Sequence, residues 1–73
     1  MTARMKGTTA RKMIKALKRL GFVVVKIRGS HVILRKGIKE TCVPYHGHEM
    51  SRRLQMDIIK QAGLTIEEIE PYL

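Results

Sequence analysis

The middle of the chain is built from three short strand-like runs joined by turns too small to hold anything else. "FVVVKI" (22–27) is rich in β-branched residues, "RGS" turns it into "HVILRK" (31–36), and "KG" turns that into "KETCV" (39–43). Such runs, bounded by Gly and Ser, read as β-strands and turns. Pro44 closes the third run, because a proline has no N–H to donate to a ladder. The expected product is a three-stranded meander. Alternation along the second strand puts Val32, Leu34 and Lys36 on one face and His31, Ile33 and Arg35 on the other.

Amphipathic helices flank this sheet. Thr8 or Thr9 can cap a first helix in which Met13, Ile14, Leu17 and Leu20 share a face, and Gly21 ends it. Its opposite face carries Arg11, Lys12, Lys15, Lys18 and Arg19. Those cations suit a helix C-terminus and equally suit phosphate. Residues 50–62 repeat Met50, Leu54, Ile58 and Ala62 at intervals of four, with Ile59 beside them and Gly63 as the stop. Thr65 and Glu68 have the spacing of a capping box for a short final turn before Pro71. Helix, three strands, helix is the pattern of an α+β two-layer αβββα domain, an antiparallel sheet with helices on one face. We expect residues 1–7 to be a flexible N-terminal tail and 8–73 to be a single domain.

At 73 residues the domain is near the lower limit for a core that folds alone, burying only about 60% of its unfolded surface, so no deep cleft is expected. A single cysteine, Cys42, cannot pair within the chain, and no secretion signal is recognisable. No apolar stretch approaches the roughly 20 residues of a membrane span. A cytoplasmic protein with no membrane association is expected. Charge says more. Residues 1–39 hold twelve Lys or Arg and no Asp or Glu, whereas residues 40–73 hold three basic and six acidic residues. Such one-sided self-repulsion opposes folding and calls for a polyanion, of which nucleic acid is the commonest. The plainer alternative is a solvated basic surface that keeps the protein dispersed.

His31 is the candidate for chemistry. The ordinary pKa of histidine, about 6.5, lets the side chain accept and donate a proton near neutral pH. RNA offers it a built-in nucleophile, the ribose 2′-hydroxyl, next to the phosphodiester. Arg28, Arg35 and Lys36 are close in sequence to stabilise phosphate charge, and Gly29-Ser30 offers close backbone approach, a hydroxyl and N–H donors. Lys12, Lys15 and His46 are further candidate RNA contacts. The competing reading leaves His31 as an idle residue at the start of a strand.

Other chemistries fit less well. Cys42, His46 and His48 are three candidate ligands where structural zinc takes four, so no metal and no cofactor are expected. With no carboxylate before Glu40, two-metal nuclease chemistry lacks its ligands. Phe22, Tyr45 and Tyr72 are the whole aromatic complement. Phe22 belongs in the core, so backbone and shape recognition, as in double-stranded-RNA-binding folds, fits better than an aromatic stacking platform.

The assembled segments "ALKRLGFVVVKIRGSHVIL", "VPYHGHE" and "IIKQAGLTIEEI" resemble the HicA family of toxins. The resemblance runs from Lys6 to Leu73 and is specific as a set: Leu20-Gly21-Phe22 leading into Gly29-Ser30-His31, with Val43-Pro44 and Gln61-Ala62-Gly63-Leu64. It implies a fold like that of double-stranded-RNA-binding domains and a ribosome-independent endoribonuclease that cleaves mRNA, with His31 catalytic. It further implies a HicB-type antitoxin covering the active face, and operator DNA bound only through the toxin–antitoxin complex. An acidic antitoxin would complement the basic half of the chain. One departure stands out: the second helix of many relatives begins with Gly-Thr where this chain has Arg52-Arg53. The runner-up reading is a non-catalytic module for structured RNA. A DNA-binding regulator is disfavoured by the lack of a helix-turn-helix pattern.

Overall fold

The expected order of elements is present in a computed structural model of the chain, which describes residues 7–73. Most of the expected N-terminal tail, residues 1–6, lies outside the described residues. Helix α1 (Ala10–Arg19) is followed by strands β1 (Val23–Arg28), β2 (His31–Lys36) and β3 (Lys39–Pro44), then by α2 (Arg52–Gln61) and a short α3 (Ile66–Ile69). A single 3-10 turn, Glu70–Tyr72, carries Pro71 and finishes the chain. The sheet is antiparallel in the order β1-β2-β3, so the fold is the expected α+β arrangement.

Local chemistry sets the boundaries. Of the two candidate caps, Thr9 is the one used: its Oγ1 accepts from the Lys12 amide at 3.3 Å. Ser51 does the same for α2 from Leu54, and Thr65 forms the expected capping box with Glu68. Helices α1 and α2 end alike. In each, the glycine N–H bonds three residues back and the next apolar residue five residues back, which is the Schellman pattern: Gly21 to Lys18 and Phe22 to Leu17, Gly63 to Lys60 and Leu64 to Ile59. Phe22 is thereby drawn into the core, and β1 begins one residue later than the run of apolar residues suggests.

The core lies between the helices and one sheet face. Met13 and Leu17 of α1, Ile58 and Ile59 of α2, and Ile69 meet Val32, Leu34 and Val43. Met50 and Ala62 join them, while Ile14, Leu20 and Leu54 are only half-buried at the margin. Alternation holds on β2, with Val32 and Leu34 buried and His31 and Arg35 exposed. Three polar side chains, Thr8, Thr41 and Gln55, are also buried. The Thr41 hydroxyl donates to the Ile58 carbonyl at 3.1 Å, tying β3 to α2. The Gln55 amide donates to the Met50 carbonyl at 3.3 Å, while its Oε1 has no partner among the described residues. Strand β1 is different. All six of its residues are exposed, a bulge interrupts its pairing with β2 between Val24 and Lys26, and Lys26 sits on the free edge. Bulges and edge lysines both discourage further strand addition.

Candidate nucleic-acid interface at one end of the sheet

Gly29 and Ser30 form a two-residue hairpin loop between Arg28 and His31, which pair across it. Gly29 has φ +56° and no non-glycine residue among those described has positive φ, so positive φ falls on the first loop position alone. That is the position a II′ hairpin gives to glycine. Space is not the reason for glycine, since a Cβ built there meets nothing within 4 Å. The surface above the turn is open.

His31 is flanked on the exposed sheet face by Arg28 of β1 and Pro44 of β3. Directly paired residues have Cβ atoms about 4.5–5.5 Å apart, so Arg28 is the cation at the imidazole's side. The His31 imidazole has no hydrogen-bond partner among the described residues. The Tyr45 amide donates to the Ser30 carbonyl, which brings the β3–α2 loop against the same turn. Farther along that loop, Thr9 bridges to Glu49 and the Met50 amide donates to the Thr8 carbonyl at 2.8 Å. The loop thus gathers four things at one end of the molecule: the Gly29-Ser30 turn, His31, and the N-termini of α1 and α2.

The electrostatics of this end run against the usual preference of helices. A helix N-terminus carries the positive end of the dipole and favours Asp or Glu nearby. Neither α1 nor α2 has an acidic residue in its first turn. Arg11 and Lys12 begin α1 and Arg52 and Arg53 begin α2. Short α3, by contrast, has Glu67 and Glu68 there. Arg11, Lys12, Lys15, Arg28, Arg52 and Arg53 form no side-chain hydrogen bond or ion pair among the described residues. Cations stacked on two positive helix ends are a surface for an anion.

The other sequence candidates divide. Lys12 and Lys15 line an open depression of about 420 Å³ between α1 and the loop, opposite Tyr45, His46 and Gly47. His46 is therefore at the same end, with its ring stacked on His48 at 5.6 Å between centroids and 17° between planes. Arg35 shares the face of His31 but lies four residues along the strand, roughly 13 Å at the usual rise. It pairs with Glu40 at 3.3 Å, its cross-strand partner. Lys36 does not join the group: it points to the helix side at the far end of β2 and its Nζ donates to the Leu20 carbonyl at 2.8 Å. The last carbonyls of α1 lack helical partners, and a lysine is a natural donor for them. Among the described residues no three His, Cys, Asp or Glu side chains gather in one place.

Sequence reasoning did not single out Tyr45 or Thr9 as parts of this end, and it placed Arg11 only among the cations on the basic face of α1. The Pro44-Tyr45 junction was the available signal, because a strand ending opposite His31 must deliver its next residue to the turn.

Residues 10–64 match the family model described as HicA toxin of bacterial toxin–antitoxin. This chain belongs to the HicA toxin family. The match covers the two long helices, all three strands and both hairpin turns, and so takes in the end just described apart from Thr8 and Thr9. No curated protein matches the chain. The family role is that of a toxin in a toxin–antitoxin pair. Among the described residues no helix is long and apolar enough to cross a membrane.

Proposed function

We propose that this HicA-family chain is a metal-free endoribonuclease that cleaves mRNA at the end of the sheet marked by His31. The observation that carries the reading is the pairing of an exposed His31 with Arg28 across a glycine turn, at the end where unpaired cations cover two helix N-termini. In the proposed reaction His31 takes the proton of a ribose 2′-hydroxyl. The 2′-oxygen attacks the adjacent phosphorus, the bond to the 5′-oxygen breaks, and that oxygen leaves with a proton returned by the imidazolium or by water. The products are a 2′,3′-cyclic phosphate and a 5′-hydroxyl end. Arg28 holds the non-bridging oxygens, whose charge grows in the phosphorane, and the N–H groups and hydroxyl of the Gly29-Ser30 turn assist. Lys12, Lys15 and His46 carry the flanking backbone. Arg35 is too far along the strand to share the scissile phosphate, and Lys36 serves the fold.

An imidazole without an orienting hydrogen bond is a slow general base, which suits a toxin meant to arrest growth. An acidic antitoxin of HicB type is the proposed partner, neutralising the same cations that bind RNA. Operator DNA is bound only through that complex, and the site of action is the cytoplasm, where mRNA is found.

The test uses purified protein, a long unstructured RNA and a chelator. Cleavage by the parent with 2′,3′-cyclic phosphate ends, lost in His31→Ala and at a 2′-deoxy substitution of the scissile nucleotide, supports the enzyme. Equal binding with no cleavage by either protein would instead identify a non-catalytic RNA-binding module.

A further inference from the structure

The depression between α1 and the β3–α2 loop has a use that phosphate contacts alone do not explain. Its volume of about 420 Å³ lies in the range of small-molecule sites, roughly 300–1,000 Å³, and its two walls differ in chemistry. One wall is Arg11, Lys12 and Lys15 on the first turns of α1; the other is Tyr45, His46 and Gly47. Cations face aromatic rings across an open gap. Tyr45 is 47% exposed, although it sits beside the folded turn. His46 is held flat by its stacking on His48. His48 lines only the neighbouring depression, with Glu49 and Pro44, whereas His46 lines both. The imidazole is therefore supported from behind and presents a ring to the basic side.

We infer that this depression is a subsite for one unpaired nucleotide next to the cleaved phosphodiester, its base lying against Tyr45 and His46 and its phosphate on Lys12, Lys15 and Arg11. This rests on the reading of the chain as a ribonuclease. Aromatic side chains accept any base by its π-face, and basic side chains track the backbone beside it. A base in a duplex has no free face to offer, so occupancy of this subsite selects single-stranded RNA. The neighbouring depression is a poorer candidate because the Glu49 carboxylate lines it and repels phosphate. The position relative to the chemistry follows from the backbone: the Tyr45 amide bonds to the Ser30 carbonyl and Pro44 pairs with His31. A nucleotide against Tyr45 is thus a neighbour of one at His31.

The experiment uses short RNA oligonucleotides with a single cleavable linkage and an abasic nucleotide placed in turn at each flanking position. The intact chain is expected to show a rise in KM of about tenfold to a hundredfold at one flanking position, the range for a lost base stack, with kcat nearly unchanged. The combined Tyr45→Leu and His46→Ala variant should bind the normal oligonucleotide with that same penalty and gain nothing further from the base, while Tyr45→Phe retains the discrimination. Circular dichroism and thermal unfolding check that each variant is folded. An intact chain indifferent to abasic substitution at every flanking position overturns the subsite, as does a penalty that survives in the double variant. Anisotropy measurements with the same oligonucleotides and His31→Ala read base discrimination without cleavage. No cleavage by the intact chain together with retained discrimination would sink the catalytic reading alone, and cleavage without base discrimination would sink the subsite alone.

Discussion

The two ends of the sheet hold comparable numbers of cations and use them differently. At the end away from His31 several of them have an occupation within the fold. Lys36 donates to the Leu20 carbonyl at the C-cap of α1, the Lys39 side chain lies over Gly63 at the close of α2, and the Arg19 guanidinium sits 5.4 Å from the centre of the Tyr72 ring. These are positions where a cation meets the negative end of a helix dipole or a π-face. At the His31 end, Arg11, Lys12, Arg52 and Arg53 meet the positive ends of two helices, and Arg28 and His31 face solvent. The same residue types thus stabilise one end and load the other with unfavourable charge. That second arrangement makes sense when the missing counter-charge arrives with a ligand.

Substitutions at the two ends should separate these roles. The largest effect is expected for His31→Ala, a fall in RNA cleavage of about 10²–10⁴-fold with RNA affinity and thermal stability nearly unchanged; a matching loss of stability would make His31 structural and erase the contrast. Gly29→Ala comes next. Its left-handed φ costs a side chain roughly 1–2 kcal/mol, so chemical denaturation should show that loss, and cleavage should fall with it as the turn shifts. Lys36→Met is expected to lose about 0.5–1 kcal/mol of stability, in the lower part of the range for one net hydrogen bond because the pair is exposed, and to leave RNA affinity alone.

Arg52→Glu should do the reverse, gaining about 0.3–1 kcal/mol at low salt while weakening RNA binding. If Arg52→Glu destabilises, the description of this end as electrostatically loaded is wrong. The finest discrimination comes from salt titrations. Replacing Lys12 or Arg28 by Met should reduce the slope of log K against log salt by about 0.7 per phosphate contact on single-stranded RNA, and Lys36→Met should leave the slope as it is.

Much of this was legible in the chain because it depends on near neighbours. Thr9, Gly21, Ser51 and Gly63 act on backbone groups within five residues, and the alternation of β2 needs only the two-residue period. The facing of His31 and Arg28 across Gly29-Ser30 follows from a two-residue loop. What required distant partners was not legible. Strand alternation already set Lys36 on the face opposite His31, but its partner there, the orphan carbonyl of Leu20 sixteen residues back, could not be read from the chain. Gln55 and Thr41 read as surface residues until α2 and β3 meet.

The sequence by itself determined the elements, their caps, the one-sided charge and the motif histidine, since each is set by interactions within a turn or two of the chain. Only the tertiary structure decided which cations share a surface. That outcome depends on the β3–α2 loop folding back to the Gly29-Ser30 turn and to Thr8 and Thr9, because charges separated by tens of residues act together only when packing brings them within a Debye length, about 8–10 Å at physiological salt.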